Sequence, residues 1–265
     1  MARLELLAVE HGAVARRDGV VVASLRGELR TDERRGRQVW ISADGDASAF
    51  AELYALAAAP WVDGGYRAHQ VIVDANDREA IDVWFALCFG REQVHAEQAV
   101  RAPAELPRSV AVRPGSIDDA VAFGDVTGAY LAGPPVWSPL PRWRGDELRD
   151  TWVEALAEPG AIYLVAEVEG KRAAYSLLQR GDDDDAATLA VFATVPALRG
   201  RGVGHALFEA VMGRAHAAGF RRLVTDWRST NLLAARFWTG RGFVPTRYRL
   251  HRLVESDHRV SSSLT

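Results

Sequence analysis

The chain has 265 residues, a formal net charge of −3 and a single cysteine, Cys88. This length can bury one large core or two small ones, and the slightly acidic balance indicates no nucleic-acid partner and no membrane partner. A lone cysteine excludes a disulfide framework within the chain and indicates a reducing compartment. Because Glu5 and Glu10 interrupt the N-terminus, where a signal peptide would be apolar, we expect a cytoplasmic protein.

A predicted linker divides the chain. Residues Arg101–Arg108 carry two prolines and several charges between more apolar stretches, which is typical of a linker. We therefore expect an N-terminal domain over residues 1–102, a second domain over 108–255 and a flexible tail over 256–265.

Strands and helices alternate after the linker. The predicted elements are a strand Ser109–Arg113, a helix Ile117–Leu131 with Ser116 as N-cap, an irregular proline-rich loop Gly133–Pro141, a helix Gly145–Leu156, strands Ile162–Glu167, Arg172–Gln179 and Ala187–Thr194, a helix Val203–Ala218, a strand Leu223–Trp227, a helix from Asn231, and a strand pair within Phe243–Leu253. Apolar residues at helical spacing (Val203, Leu207, Val211 and Ala215) predict that one face of the helix from Val203 packs on a sheet. The order predicts an α/β (α+β) fold, a mixed central sheet with flanking helices.

The loop between the strand Ala187–Thr194 and the next helix is rich in glycine and arginine. It holds three glycines at alternate positions and two arginines (Gly200, Gly202, Gly204, Arg199 and Arg201). Glycines let backbone N–H groups approach a ligand closely, and a helix N-terminus adds partial positive charge. The loop therefore predicts a site for the diphosphate of a phosphorylated cofactor.

A second motif follows this loop. Asn231 opens the segment Asn231–Trp238, and Gly242–Phe243 comes directly after the helix. With both motifs, the residues from roughly Arg108 to Val254 resemble the GNAT N-acetyltransferase superfamily. The acyl-CoA loop of that family reads Arg/Gln-x-x-Gly-x-Gly/Ala, which Arg199, Gly202 and Gly204 fill. Its second motif falls on Asn231, Ala234, Trp238 and Gly242–Phe243.

The resemblance implies the GNAT fold and an acyl-CoA co-substrate, acetyl-CoA or another short acyl-CoA, with no metal. The strand that ends at Val195 should splay from Leu223–Trp227 and open a wedge for the pantetheine arm. Backbone groups of Ala193 and Val195 would bond this arm as though it were an added strand. The implied cofactor residues are Ala193, Thr194, Val195, Arg199, Gly200, Arg201, Gly202, Val203, Gly204, His205, Asn231 and Trp238.

Acetyl transfer to an amine needs a base for the ammonium and an acid for the leaving thiolate. The family often has a tyrosine as the acid seven residues after the asparagine, where this chain has Trp238. Tyr248 is the nearest substitute by position, and Asp226 is the candidate base because the strand Ala187–Thr194 carries no carboxylate. Aromatic residues beside the proline-rich loop (Tyr130, Trp137 and Trp143) either anchor that loop or form an acceptor wall.

The N-terminal half repeats part of this pattern. At an offset of 154 residues, Asp77 aligns with Asn231, and Ala80, Trp84 and Phe89 align with Ala234, Trp238 and Phe243. We interpret this half as a degenerate second copy of the fold. The expected loop is replaced by Ser42–Ser48, whose Asp44 and Asp46 would repel a diphosphate, so we expect CoA to bind the C-terminal half alone.

The sequence thus predicts an N-acetyltransferase that acts on an amine of a small molecule. Two other classes stay open: an acyl-CoA-binding regulator without turnover, and a dinucleotide-dependent oxidoreductase. The oxidoreductase hypothesis depends on Gly200-x-Gly202 with Asp226 farther on, although His205 stands where a third glycine is expected. The expected assembly is a monomer with internal pseudo-symmetry or a homodimer.

Overall fold

The computed structural model describes residues 4–32, 36–104, 109–133, 136–137 and 149–255. Trp143, the predicted tail 256–265 and parts of the linker and of the proline-rich loop lie outside these residues. Contacts divide the chain into a first unit, residues 1–94 with 246–265, and a second unit, residues 95–245.

Twelve strands and six helices have their bounds within the described residues. They are β1 (Leu4–Val9), β2 (Gly12–Arg17), β3 (Val20–Asp32), β4 (Gly36–Gly45), α1 (Phe50–Asp63), β5 (Ala68–Asp74), α2 (Arg78–Ala86), β6 (Gly90–Ala99), β7 (Ala111–Pro114), α3 (Ile117–Ala132), α4 (Arg149–Ala157), β8 (Ile162–Val168), β9 (Lys171–Arg180), β10 (Ala186–Thr194), α5 (Val203–Ala217), β11 (Arg222–Arg228), α6 (Leu232–Thr239) and β12 (Val244–Leu253). The sequence therefore predicted every element after the linker to within a few residues, except at the C-terminal end.

The first unit contains a sheet in the order β1-β2-β3-β4-β5-β12. Strands β1 to β4 pair antiparallel, and β5 lies parallel to β4. Helices α1 and α2 pack large side chains against one sheet face, and Leu25, Leu53, Trp61 and Trp84 are almost completely buried there. Burial of this apolar surface supplies the main stabilisation of the unit.

The last described strand pairs within the first unit, which differs from the expected C-terminal strand pair. The sequence predicted a strand pair within Phe243–Leu253, whereas the structure has the one strand β12. Its residues Arg247–Leu253 pair antiparallel with Asp74–Ala68 of β5. Contacts accordingly group residues 246–255 with the first unit, whereas the sequence analysis placed them in the second domain.

The second unit contains the order β11-β10-β9-β8-β7. Strands β7 to β10 pair antiparallel, and β10 and β11 are parallel. Four residues of α5 predicted to face the sheet (Val203, Leu207, Val211 and Ala215) are at most 1% exposed, which confirms that prediction. The observed mixed sheet with flanking helices confirms the predicted fold class.

Helix α3 begins with a buried acid. Ser116 is the N-cap, as predicted, and forms a capping box with Asp119. Asp119 is buried and accepts hydrogen bonds from Arg113, at 2.7 and 3.0 Å, and from Arg172, at 2.6 Å. These hydrogen bonds, those from Arg113 above all, hold the pKa of Asp119 well below its usual value. The network ties the start of α3 to β7 and β9.

The two units repeat the same helix start. Asp77 caps α2 and Asn231 caps α6, and each side chain accepts the N–H group three residues farther on, at 2.9 and 3.0 Å. In both units this helix follows the strand that lies parallel to its neighbour, β5 or β11.

The aromatic residues after these caps also repeat. Trp84 and Phe89 have ring centroids 4.9 Å apart, and Trp238 and Phe243 have centroids 5.1 Å apart. All four side chains are at most 4% exposed. The offset read from the sequence therefore corresponds to an equivalent local structure in the two halves.

Candidate functional site

Two parallel strands of the second unit separate partway along their length. The paired residues of β10 and β11 are Ala186–Thr188 and Arg222–Val224, although β10 continues to Thr194 and β11 to Arg228. Just beyond the last pair, the Thr225 hydroxyl donates to the Leu189 carbonyl at 3.2 Å. A side chain thus replaces the backbone ladder where the strands separate, and this confirms the predicted splay.

The register of β10 decides which backbone groups face this wedge. The Val195 N–H donates to the carbonyl of Ala173, in β9, at 2.8 Å. Because alternate residues of a strand bond to the same neighbour, Val195 and Ala193 face β9, whereas Phe192 and Thr194 face the wedge. This register differs from the expectation for Ala193 and Val195, because it directs the backbone groups of Thr194, and of Phe192, which the sequence analysis did not name, toward the wedge. The assignment of these residues to ligand binding stays a prediction.

The glycine loop is held in left-handed conformations. Gly200 has φ = 75° and Gly202, the N-cap of α5, has φ = 80°. A Cβ at either position would meet no atom within 4 Å, so the loop needs these glycines for backbone conformation and not because of crowding. The N–H groups of Val203, Gly204 and His205 begin the helix, where no intrahelical acceptor is available. This arrangement can bind an anion.

Gly204 has a different role. A Cβ there would lie 3.2 Å from the Phe237 ring and 3.4 Å from Thr194 Oγ1. Gly204 therefore lets α5 approach α6 and the end of β10 closely.

The two loop arginines differ in their surroundings. The Arg199 guanidinium lies 5.0 Å from the centroid of the Tyr130 ring, and its Nε donates to the Thr194 carbonyl at 3.2 Å. Arg201 is exposed. The side chain of Arg199 is thus held at the end of β10, while Arg201 is accessible to a ligand.

Asn231 lies at the end of the wedge where β11 leads into α6. Its Oδ1 caps the helix and also accepts a hydrogen bond from the Tyr130 hydroxyl. Burial raises the pKa of Tyr130, and the charge of Arg199 opposes this shift. The contact between Tyr130 and Asn231 joins residues 101 positions apart, and the sequence offered no signal for it.

The model of the Acetyltransferase (GNAT) family matches residues 130–243, which span the wedge, the glycine loop and Asn231. This part of the chain is a GNAT domain. A search of curated proteins found no match.

Solved structures resemble the whole chain. A GCN5-related N-acetyltransferase from Sphaerobacter thermophilus aligns with a TM-score of 0.63 at 16% identity, covering 91% of this chain and 80% of that one. A tandem GNAT protein from the clavulanic acid biosynthesis pathway aligns at 0.54 and 15% identity, covering 93% and 83%. A GNAT-family acetyltransferase from Colwellia psychrerythraea aligns at 0.56 and 12% identity, covering 92% and 85%. The fold is therefore that of tandem GNAT proteins.

Trp238, at the position of the family's tyrosine, lies in the core of the GNAT domain. Its indole is 4% exposed and contacts the rings of Phe192, Phe208, Phe237 and Phe243, with centroids 4.8 to 6.1 Å away. Burial among four rings makes it a packing residue behind the wedge. Its assignment to cofactor binding stays a prediction.

The two candidate catalytic residues belong to different units. Asp226 lies on β11 beyond the part that pairs with β10, and it is exposed. Tyr248 lies on β12 opposite Val73, packs against the core of the first unit, and has the Arg91 guanidinium 4.8 Å from its ring centroid. Its hydroxyl forms no hydrogen bond with a described residue. Both catalytic assignments stay predictions.

A buried glutamate on α5 lies one turn after the glycine loop. Glu209 accepts two hydrogen bonds from Arg101, at 2.9 and 2.7 Å, and one from the Ala104 N–H at 2.8 Å. The Arg101 hydrogen bonds lower the pKa of Glu209. His205 Nδ1 lies 3.9 Å from the same carboxylate, and the assignment of His205 to cofactor binding stays a prediction. A charged residue within an apolar helix was the available sequence signal for this contact.

An aromatic cluster covers the α3 and α4 side of the sheet. Phe123 stacks on Tyr175 with ring centroids 4.4 Å apart, and Val191 and Ala193 of β10 pack against this cluster. Trp137 is 67% exposed, so it does not anchor its loop in the core. The sheet face that α3 and α4 cover is therefore a packed apolar core.

Within the described residues there is no cluster of three or more His, Cys, Asp or Glu side chains arranged to hold a metal ion. The described helices include none of the length and apolarity required to span a membrane.

Proposed function

We propose that the GNAT domain transfers an acetyl or short acyl group from acyl-CoA to the amine of a small molecule. One observation carries this proposal. Strands β10 and β11 separate, and β10 then leads into the glycine loop and the start of α5, which can bind an anion. An extended pantetheine arm can add to the exposed edge of β10 while the loop amides and Arg201 bind the diphosphate.

The proposal is tested by turnover of acetyl-CoA against a panel of amines, with appearance of free thiol as the readout. Thermal shift with CoA and with NAD distinguishes the dinucleotide hypothesis. A doubly wound fold has a mostly parallel sheet, whereas strands β7 to β10 of the second unit pair antiparallel. We therefore expect stabilisation by CoA and not by NAD.

Calorimetry should show one CoA site per chain. In the first unit, the segment after β4 has no glycine loop, and Asp46 accepts hydrogen bonds from both the backbone N–H and the hydroxyl of Ser48. This carboxylate already accepts a hydrogen bond from the N–H group at the start of the helical turn, and its negative charge would repel a phosphate. Two sites of similar affinity would show that the first unit also binds CoA.

Tyr248 and Asp226 are the proposed acid and base, the latter acting directly or through water. We expect Tyr248→Phe to lower kcat about 100-fold with little change in CoA affinity, since general acid catalysis commonly contributes that much. Tyr66→Phe is the matched control, because Tyr66 packs on the same core and has Arg37 5.6 Å from its ring centroid. Full activity of Tyr248→Phe would show that Tyr248 is not the acid, and water would then be the proton donor to the thiolate.

An acyl-CoA-binding regulator without turnover is the second candidate. The buried indole of Trp238 favours it, because indole does not supply a proton at the position where the family often has a tyrosine. Binding of one CoA per chain, together with no thiol release from any amine in the panel, would support this alternative.

A further inference from the structure

The amide of Asn231 presents a fixed side to the wedge. A carboxamide oxygen has two lone pairs, and Asn231 Oδ1 uses one for the Ala234 N–H, at 3.0 Å, and the other for the Tyr130 hydroxyl. Its Nδ2 donates to none of the described residues. The oxygen is therefore directed to the protein, and the NH₂ group stays available as a donor.

The helix cap alone does not require the tyrosine. Asp77 caps α2 of the first unit by accepting the equivalent N–H at 2.9 Å, and no tyrosine hydroxyl bonds to its carboxylate among the described residues. The hydrogen bond from Tyr130 is thus an addition found in the unit that carries the glycine loop.

Tyr130 is itself held in place. The Arg199 guanidinium lies 5.0 Å from its ring centroid, and Arg199 Nε is bonded to Thr194 at the end of β10. Tyr130 therefore connects the end of β10, through Arg199, with the start of α6, through Asn231. These two points flank the region where β10 and β11 have separated.

We propose that Tyr130 is a positioning residue for acyl-CoA, an inference that depends on the proposed function. By occupying the second lone pair of Asn231 Oδ1, Tyr130 fixes the amide so that Nδ2 donates to a carbonyl of the pantetheine arm. This arm contains two amides, each with a carbonyl acceptor. Without the tyrosine hydroxyl, the amide is less restricted and the donor is less well oriented.

The test compares CoA with 3′-phosphoadenosine 5′-diphosphate, which keeps the nucleotide and the diphosphate but lacks the arm. We expect Tyr130→Phe to weaken CoA binding about fivefold, the size of one modest hydrogen bond. Binding of the arm-less nucleotide should not change, which also shows that the variant is folded. Tyr163→Phe is the matched control, since its buried hydroxyl has no hydrogen-bond partner among the described residues; both affinities should stay at the wild-type level.

The Asn231→Ser background tests whether Tyr130 acts through Asn231. Serine keeps a helix cap but removes the amide, so the second change, Tyr130→Phe, should then have no further effect on CoA affinity. Equal weakening of both ligands by Tyr130→Phe would show that it acts through Arg199 and the loop, and would overturn the inference. Unchanged CoA binding would also overturn it while the proposed function stands. Failure of the wild-type protein to bind CoA would refute both.

Discussion

Replacing Gly202 by Asp should weaken CoA binding by about 100-fold or more. The new carboxylate would stand at the N-cap of α5, in open space, where the loop presents its amides to the diphosphate. Two like charges about 4 Å apart near a protein surface repel by roughly 4 kcal/mol. Calorimetry with CoA measures the loss, and circular dichroism checks that the fold persists.

Gly219→Asp separates this repulsion from backbone strain. Gly219 has φ = 81° and likewise no atom within 4 Å of an added Cβ, but it lies in the turn that follows the C-terminal end of α5. Both variants place an L-residue in the left-handed region at a cost of about 1–2 kcal/mol, so both should lose similar stability. If both lose CoA affinity equally, or if Gly202→Asp keeps it, the loop is not the diphosphate site.

Replacing Asp119 by Asn should lower the free energy of unfolding of the GNAT domain by about 2 kcal/mol at pH 7. Asn keeps the shape of the side chain, but it removes the charge that Arg113 and Arg172 compensate. Both arginines are more than a third exposed, so water can solvate their charges in the variant and reduces the loss of stability. Chemical denaturation of the two proteins at several pH values measures the difference.

The pH dependence tests the cause. Hydrogen bonds from Arg113 depress the pKa of Asp119 in the folded state, so its contribution is fully present above the unfolded pKa, about 3.9. It is lost as the pH falls through the folded pKa. The difference in stability between the wild type and Asp119→Asn should therefore begin to shrink as the pH falls below about 4 and should continue to shrink down to the folded pKa. Asp118→Asn, in the same helix turn but 76% exposed, should change stability little. A constant difference at all pH values would assign the effect to packing.

Local signals made much of the fold predictable. Ser116 and Asn231 are polar N-caps followed by apolar helical patterns, and the structure confirms both helix starts. Gly200 and Gly202 predicted the loop because left-handed backbone conformations strongly favour glycine. Such features depend on a few neighbouring residues, which a sequence displays directly.

The side of β10 that faces the wedge was not predictable in the same way. It depends on the pairing with β9, where the register shifts between Leu189 and Val191. A one-residue change in register exchanges the two sides of a strand, so the sequence did not reveal that the backbone groups of Phe192 and Thr194, and not those of Ala193 and Val195, face the wedge. The contacts of Tyr130 with Asn231 and of Arg101 with Glu209 join distant positions, and no short pattern encodes them.

The position of β12 has a consequence for synthesis of the protein. Arg247–Leu253 complete the sheet of the first unit by pairing with β5. While the chain grows on the ribosome, β5 emerges long before this partner and presents unpaired N–H and C=O groups at its edge. The N-terminal half therefore cannot finish folding ahead of the C-terminal half, as independent domains made in sequence usually do. A chain truncated before β12 would therefore contain nearly all residues of both units, but the sheet of the first unit would lack one strand.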